Sequence, residues 1–307
     1  MKQILKGLLI ASLLITGLIG ADIEVFTSDN KDGKITTKTI EDTFTKAGFF
    51  VSANRDMNDP FKKQFKETTF DTYTLFTFYK KDVVLALAKK YENIGLFAPM
   101  SMSIYTKKGD KTISVSSLSA SAMQKIMKIP AGEKLLTDLR ALVVKTLKTA
   151  MPNGKFDTLP YKIDATKKEL VTKYSMEIDA KDWDDELEEF KMDFSGQLSL
   201  NGFIVAGENN LGDEFEEENY NGFDFYEVYS ICKLPVIYTI AKNHPEAGAF
   251  APCSLYISKK KDSDKMNIAF PSVYNWMSSM ALKDKKDLST LEDAQSKINK
   301  ILKSLTE

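Results

Sequence analysis

Two kinds of periodicity alternate along this chain, and the sequence runs through them twice. "DIEVFT" and "YSMEID" alternate apolar and polar positions, with Ile23 and Val25, or Met176 and Ile178, on one face. A two-residue period predicts a half-buried strand. In each half a helical stretch follows and stops at Gly48 or Gly202, where glycine can take the left-handed cap. "GFFVSA" and "GFIVAG" predict a second strand, and the aromatic and β-branched runs "YTLFTFY" and "YEVYSIC" a third. "DVVLALAKKY" and "VIYTIAKNH" predict short helices, the second with Pro235 near its first turn. "MSMSIYT" with "TISVSS", and "SLYISKK" with "KMNIAF", predict hairpins across Lys/Gly/Asp/Ser turns. Each half closes on an amphipathic helix. The first presents Leu135, Leu139, Leu142 and Leu147; the second presents Leu291, Ile298, Ile301, Leu302 and Leu305. Ser289 and Glu292 stand at capping-box spacing at the start of the second.

The halves also match residue by residue. "GLFAPMSMSIYTKKGDK" from Gly95 returns as "GAFAPCSLYISKKKDSDK" from Gly248. Phe70-Asp71 returns as Phe223-Asp224 and Tyr73 as Tyr226, at the same offset of 153. Gly48-Phe49 matches Gly202-Phe203 at 154; downstream, Ile113, Val115 and Met123 line up with Asn267, Ala269 and Met277, again at 154. A shared offset this long means duplication of one whole domain rather than a solenoid. The expected division is a first repeat at 21–150, a linker at 151–172 and a second repeat at 173–307. The linker contains two prolines and no periodicity.

The order of elements, with a glycine, a short apolar step and a proline before each hairpin ("IGLFAP", "AGAFAP"), resembles the family called domain of unknown function 302. Each half is similar to one family domain. The resemblance implies an α+β domain of the TATA-binding-protein type, ordered β-α-β-β-(α)-β-β-α, with one antiparallel sheet backed by helices. Single-copy members look like dimer formers, so two copies in one chain imply an intramolecular pseudo-dimer. The resemblance supplies no catalytic residues and no cofactor.

Residues 1–20 depart from this pattern. Lys2 and Lys6 precede an uncharged apolar run that ends in small residues at Gly20 and Ala21. That is the three-part form of a secretory signal peptide, and the run is shorter than a spanning helix needs. The expected location is the periplasm, with membrane contact only through this segment if it stays uncleaved.

The 307 residues are 43% hydrophobic and 28% charged, with a formal net charge of −1. That is a globular composition with no global field for nucleic acid. The charge is divided unevenly, however. Residues 21–150 carry 21 Lys and Arg against 15 Asp and Glu, and residues 151–307 carry 19 against 28. Net charges of +6 and −9 would steer the halves together, or they reflect drift on solvated faces. The acids concentrate in "DWDDELEEF" and "DEFEEENYN", which read as solvated surface or as attractants for calcium or a basic partner. Neither has the spacing of an EF-hand loop.

Candidate chemistry is sparse. His244 is the only histidine, which argues against multi-histidine zinc sites and histidine-driven phosphoryl chemistry; a hydrolytic triad would have to use it, and its turn position reads more simply as loop. Cys232 and Cys253, at the places of Tyr79 and Met100, fall on or beside predicted strands. A disulfide between them would close a loop of about 20 residues, worth about 3 kcal/mol. Two buried thiols are the alternative. Met100, Met102, Cys253 and His244 are soft or borderline ligands, which would form a copper(I)-type site if the repeats pair about a twofold axis. The paired Asp71-Tyr73 and Asp224-Tyr226 read first as strand starts with a turn-stabilising aspartate and, with Pro99 and Pro252, are the candidates for lining a cleft. No phosphate loop or nucleophile elbow is present. These readings point to an exported protein that binds a small molecule or protein at the seam between repeats, without nucleic acid. The alternative is a soft-metal or redox-linked binding protein.

Overall fold

Each half folds around one antiparallel sheet with helices on its outer face. The computed structural model describes residues 21–165 and 167–307; the predicted leader at 1–20 lies outside the described residues. The first repeat runs β1 (Ile23–Asp29), α1 (Thr37–Lys46), β2 (Phe50–Asp56), α2 (Asn58–Phe65), β3 (Phe70–Tyr79), α3 (Lys81–Ala88), β4 (Met100–Lys107), β5 (Thr112–Leu118), α4 (Ala120–Met127) and α5 (Lys134–Ala150). After β6 (Lys155–Thr158), the second repeat runs β7 (Val171–Glu177), α6 (Trp183–Leu200), β8 (Ile204–Asn210), α7 (Leu211–Glu217), β9 (Phe223–Cys232), α8 (Leu234–Ala241), β10 (Cys253–Lys260), β11 (Lys265–Pro271), α9 (Tyr274–Ser279) and α10 (Lys285–Thr306). The sheet orders are β2-β3-β4-β5-β1-β6 and β7-β11-β10-β9-β8. The predicted order holds in both copies. The short helices α2, α4, α7 and α9, with eight residues or fewer, carry too few turns to show a period.

The alternation along β3 sorts its residues to two faces. Phe76 and Phe78 pack edge-on against Phe44 of α1, with ring centroids 5.5 and 4.9 Å apart. Tyr73 and Tyr79 reach the other way, toward the second repeat. In β9, Tyr229 meets Phe194 of α6 while Tyr226 reaches into the first repeat. Each sheet therefore has one face on its own helices and one on the other copy. Gly48 and Gly202, at φ +83 and +74, end the first long helix of each repeat as expected.

Four expectations are corrected. Ile104 pairs with Val115 and Ile257 with Ile268, so the offset stays at 153 through the hairpin and Trp276, not Met277, stands where Met123 does. The first strand of the second repeat is Val171–Glu177, which includes two residues assigned to the linker and ends before Ile178. It is an edge strand, half-exposed and polar, so its alternation is weak. The connector is not featureless either: Lys155–Thr158 adds to β1 as an edge strand. Finally, α10 begins a turn before Ser289, because the Asp284 carboxylate accepts from the backbone N–H of Lys286 and Asp287.

Candidate functional site

The repeated glycine–proline phrase builds the seam. Glu92–Phe97 and Pro245–Phe250 form matching 3-10 segments, each inserted against the other repeat's sheet. The contacts are reciprocal. Tyr73 donates to the Pro245 carbonyl at 3.1 Å, and Tyr226 donates to the Glu92 carbonyl while accepting from the Gly95 N–H at 2.8 Å. Ser101 donates to the Pro252 carbonyl and Ser254 to the Pro99 carbonyl, both at 3.0 Å. Gly95 leaves no room for a side chain, since a Cβ would sit 2.6 Å from Tyr256 Cβ; one on Gly248 would sit 2.4 Å from Ser103 Cβ. The Ala98-Pro99 and Ala251-Pro252 bonds are both cis. These hydroxyls pair buried carbonyls of the other repeat, and the Pro245 carbonyl accepts from Ser103 at 2.8 Å as well as from Tyr73.

The tyrosines and prolines proposed as cleft walls are therefore the filling of the seam. Burial pushes the Tyr73 and Tyr226 hydroxyls far above their ordinary range, which keeps them neutral donors. The two aspartates do different work. Asp71 accepts from the Gly109 N–H at 2.9 Å and closes a hairpin turn. Asp224 is buried against Lys259 and is 2.9 Å from Lys261. Burial pushes its carboxyl up, but the two lysines outweigh that and hold it below the usual range.

The soft ligands do not converge. Met100 and Met102 line a small void inside the first repeat, and Cys253 lines the corresponding one in the second. His244 is held by Glu246 at 3.1 Å, which raises its pKa against partial burial. Among the described residues no three His, Cys, Asp or Glu side chains are grouped for a metal. Both cysteines are free thiols. Cys253 stands opposite Ile231, so Cys232 is one residue out of step with it.

A polar cleft of about 310 Å³ lies at the seam beside Pro245 and Glu246, and a larger open space lies where the twofold relation is broken. On one side, Phe65 at the end of α2 stacks on Tyr238 of α8, with ring centroids 3.8 Å apart and planes 6° from parallel. Glu67 ties the same corner to Tyr238 at 2.9 Å and Lys242 at 2.7 Å. On the opposite side Leu85 takes the place of Tyr238, and the end of α7 carries Glu217 and Glu218. A cleft of about 790 Å³ remains there between α3 and α7. Its floor is apolar, from Phe49, Phe50, Leu85 and Phe215, and its walls have opposite sign. Lys80, Lys81, Lys89 and Lys90 come from the first repeat, with Asp82 paired to Lys80 at 3.0 Å; Glu214, Glu217 and Glu218 come from the second. Lys81 meets Glu214 at 2.9 Å, and Tyr79 donates to the same carboxylate at 2.6 Å. Phe50 is 43% exposed, packed on Tyr79 with its ring under the Lys81 ammonium.

Sequence reasoning missed these residues. Two signals were present: a second phenylalanine in "GFFVSA" on a strand with only one buried face, and the acid run "DEFEEENYN". The acid run read as solvent-facing because its lysine partners lie more than a hundred residues away.

A family model described as "Domain of unknown function DUF302" matches residues 25–150 and again 180–305. No curated protein matches. Among solved structures, the crystal structure of an uncharacterized conserved DUF302 protein from Bacillus stearothermophilus is similar at 13% sequence identity. The similarity covers 46% of this chain and 100% of that one, with a TM-score of 0.37. The chain belongs to the domain of unknown function 302 family and carries two copies of its domain.

Proposed function

We propose that this chain is an exported binding protein without catalytic chemistry of its own, whose ligand occupies the cleft between α3 and α7. Export rests on the leader-like pattern of residues 1–20. The binding role rests on one observation: the seam is shut by an aromatic stack on one side and left open on the other. Ligand pockets favour domain interfaces, volumes of about 300–1,000 Å³ and apolar linings with a few fixed polar groups, and this cleft has all three. Walls of opposite sign around an aromatic floor suit a compact zwitterion with an apolar body, such as an aromatic dipeptide. The soft-metal alternative lacks comparable support, because its ligands lie in separate places.

The test is titration of the mature chain with zwitterionic aromatic dipeptides, Phe-Phe first, followed by calorimetry. The expected result is saturable binding that Phe50→Asp abolishes and Lys89→Glu weakens. Absence of saturable binding up to millimolar peptide, or binding indifferent to both substitutions, would overturn the reading.

A further inference from the structure

The second repeat holds a separate cavity of about 60 Å³ between its sheet and helices α8, α9 and α10. Leu255, Phe270, Leu291 and Ile298 give it apolar walls, and the Cys232 and Cys253 thiols also line it. Trp276 lines it too, only 3% exposed, and its buried indole N–H meets no oxygen or nitrogen acceptor, only the weak sulfur of Cys253. The other polar groups are occupied. Gln295 accepts from the Val273 N–H at 3.0 Å and donates to Thr172 and Asn299, both at 2.9 Å. The Cys253 thiol donates to the Phe250 carbonyl.

The first repeat shows what a filled version of this place looks like. Its counterpart is about 10 Å³. Met123 replaces the tryptophan there and Ser117 replaces Phe270. Arg140 reaches in, donating to Ser117 at 2.7 Å and pairing with Glu24. One copy has closed the space with a cation paired through its two terminal nitrogens, its Nε buried without a partner. The other keeps it open and apolar, with an indole donor that has only a thiol to meet it. Buried donors rarely go without a full-strength acceptor, and a thiol sulfur is a weak one.

We infer that this cavity is a binding site for a compact apolar molecule of about four heavy atoms bearing one hydrogen-bond acceptor, held by the Trp276 indole N–H. The size follows from the volume. A water takes about 30 Å³ of liquid, and an apolar cavity of about 150 Å³ takes a benzene ring. A short ketone or aldehyde fits between these limits. Binding is non-covalent: burial pushes both thiols up to about 12, so neither presents a thiolate near neutral pH. The site is independent of the α3–α7 cleft, and either can fail without the other.

The experiment uses acetone and isobutene, which share a shape and differ in the acceptor, with xenon as a shape-only control. The protein has two tryptophans, Trp183 and Trp276, so an indole N–H correlation spectrum resolves the response. Acetone is expected to move the Trp276 indole signal and leave that of Trp183 in place, whereas isobutene should shift only methyl signals of Leu255, Leu291 and Ile298. Trp276→Phe is expected to weaken acetone about three- to tenfold, the worth of one neutral hydrogen bond. Xenon shifts on the same methyl groups should persist in that variant, which also shows that the cavity and fold survive. Acetone binding that ignores Trp276→Phe, xenon entry without an indole response to acetone, or exclusion of all three probes would each overturn the assignment.

Discussion

At the scale of single residues, repetition in the sequence marked importance without revealing its kind. Gly95 and Gly248 were legible as a pair, and Tyr73 and Tyr226 likewise. Their purpose was not, because each touches a partner in the other half of the chain. The glycines are needed for close approach across the seam. Gly95→Ala and Gly248→Ala are each expected to cost about 1–3 kcal/mol by overpacking, read as a lowered urea midpoint at unchanged slope. Gly196 in α6 is the control, since nothing lies within 4 Å of a Cβ built there. Gly196→Ala should gain about 0.5–1 kcal/mol through helix propensity alone. Equal effects at all three positions would contradict the packing account. Asp71 and Asp224 make a different point, since the same letter at the same repeat position closes a turn in one copy and neutralises buried Lys259 in the other. Removing one partner of a buried pair costs about 3–5 kcal/mol, so Asp224→Asn should destabilise by about that amount at pH 6. Asp224→Leu with Lys259→Met should recover most of it. The Asp224 carboxyl titrates below its ordinary range when folded, so its contribution is present above about pH 4 and is lost as pH falls through the folded value. The gap between wild type and Asp224→Asn should therefore close in acid; a gap that widens there would refute the pairing.

Elements were easier to read than contacts. Central strands such as β3 and β9 carry unbroken aromatic and β-branched runs, and the closing helices carry apolar stripes, so their periods survive in the sequence. Edge strands were the weak points. β7 and β6 each have one partner strand, and their burial is irregular or partial, with Val171 buried but Lys173 exposed and Phe156 packed on Phe26 between exposed Lys155 and Asp157, which leaves little pattern to find. The start of α10 was misplaced because Ser289 and Glu292 fit a capping box, while Asp284 makes the actual hydrogen bonds. The α3–α7 cleft was the least legible feature of all. It exists because one copy ends its short helix in Phe65 against Tyr238, while the other offers glutamates and Leu85 at that corner. A difference between repeats of that kind reads as drift until the fold places both corners on one seam.

The whole molecule is a dimer whose subunits share one polypeptide. The seam includes inserted segments, reciprocal hydroxyl–carbonyl bonds and the ion pairs Lys81–Glu214, Lys242–Glu67 and Lys260–Glu92. None of these requires the connector to be intact. Fragments 21–166 and 167–307 should accordingly assemble when refolded together, as a one-to-one complex on a sizing column. The segment 151–166 carries Lys155 and Lys162 against Asp157 and Asp164, so the fragments keep net charges of +6 and −9. Opposite charge accelerates and strengthens association at low ionic strength, and screening shortens its reach from about 10 Å at 0.1 M salt to about 3 Å at 1 M. The fragment affinity should thus fall as salt rises, with the loss mainly in the association rate, while the buried hydroxyl–carbonyl bonds keep dissociation slow. Each fragment alone would expose the apolar face that the other covers, and should self-associate or precipitate. Two fragments that each stay monomeric and folded, and fail to combine when mixed, would show that the repeats are independent domains and that the clasp formed by Gly95, Gly248 and their neighbours adds nothing to their union.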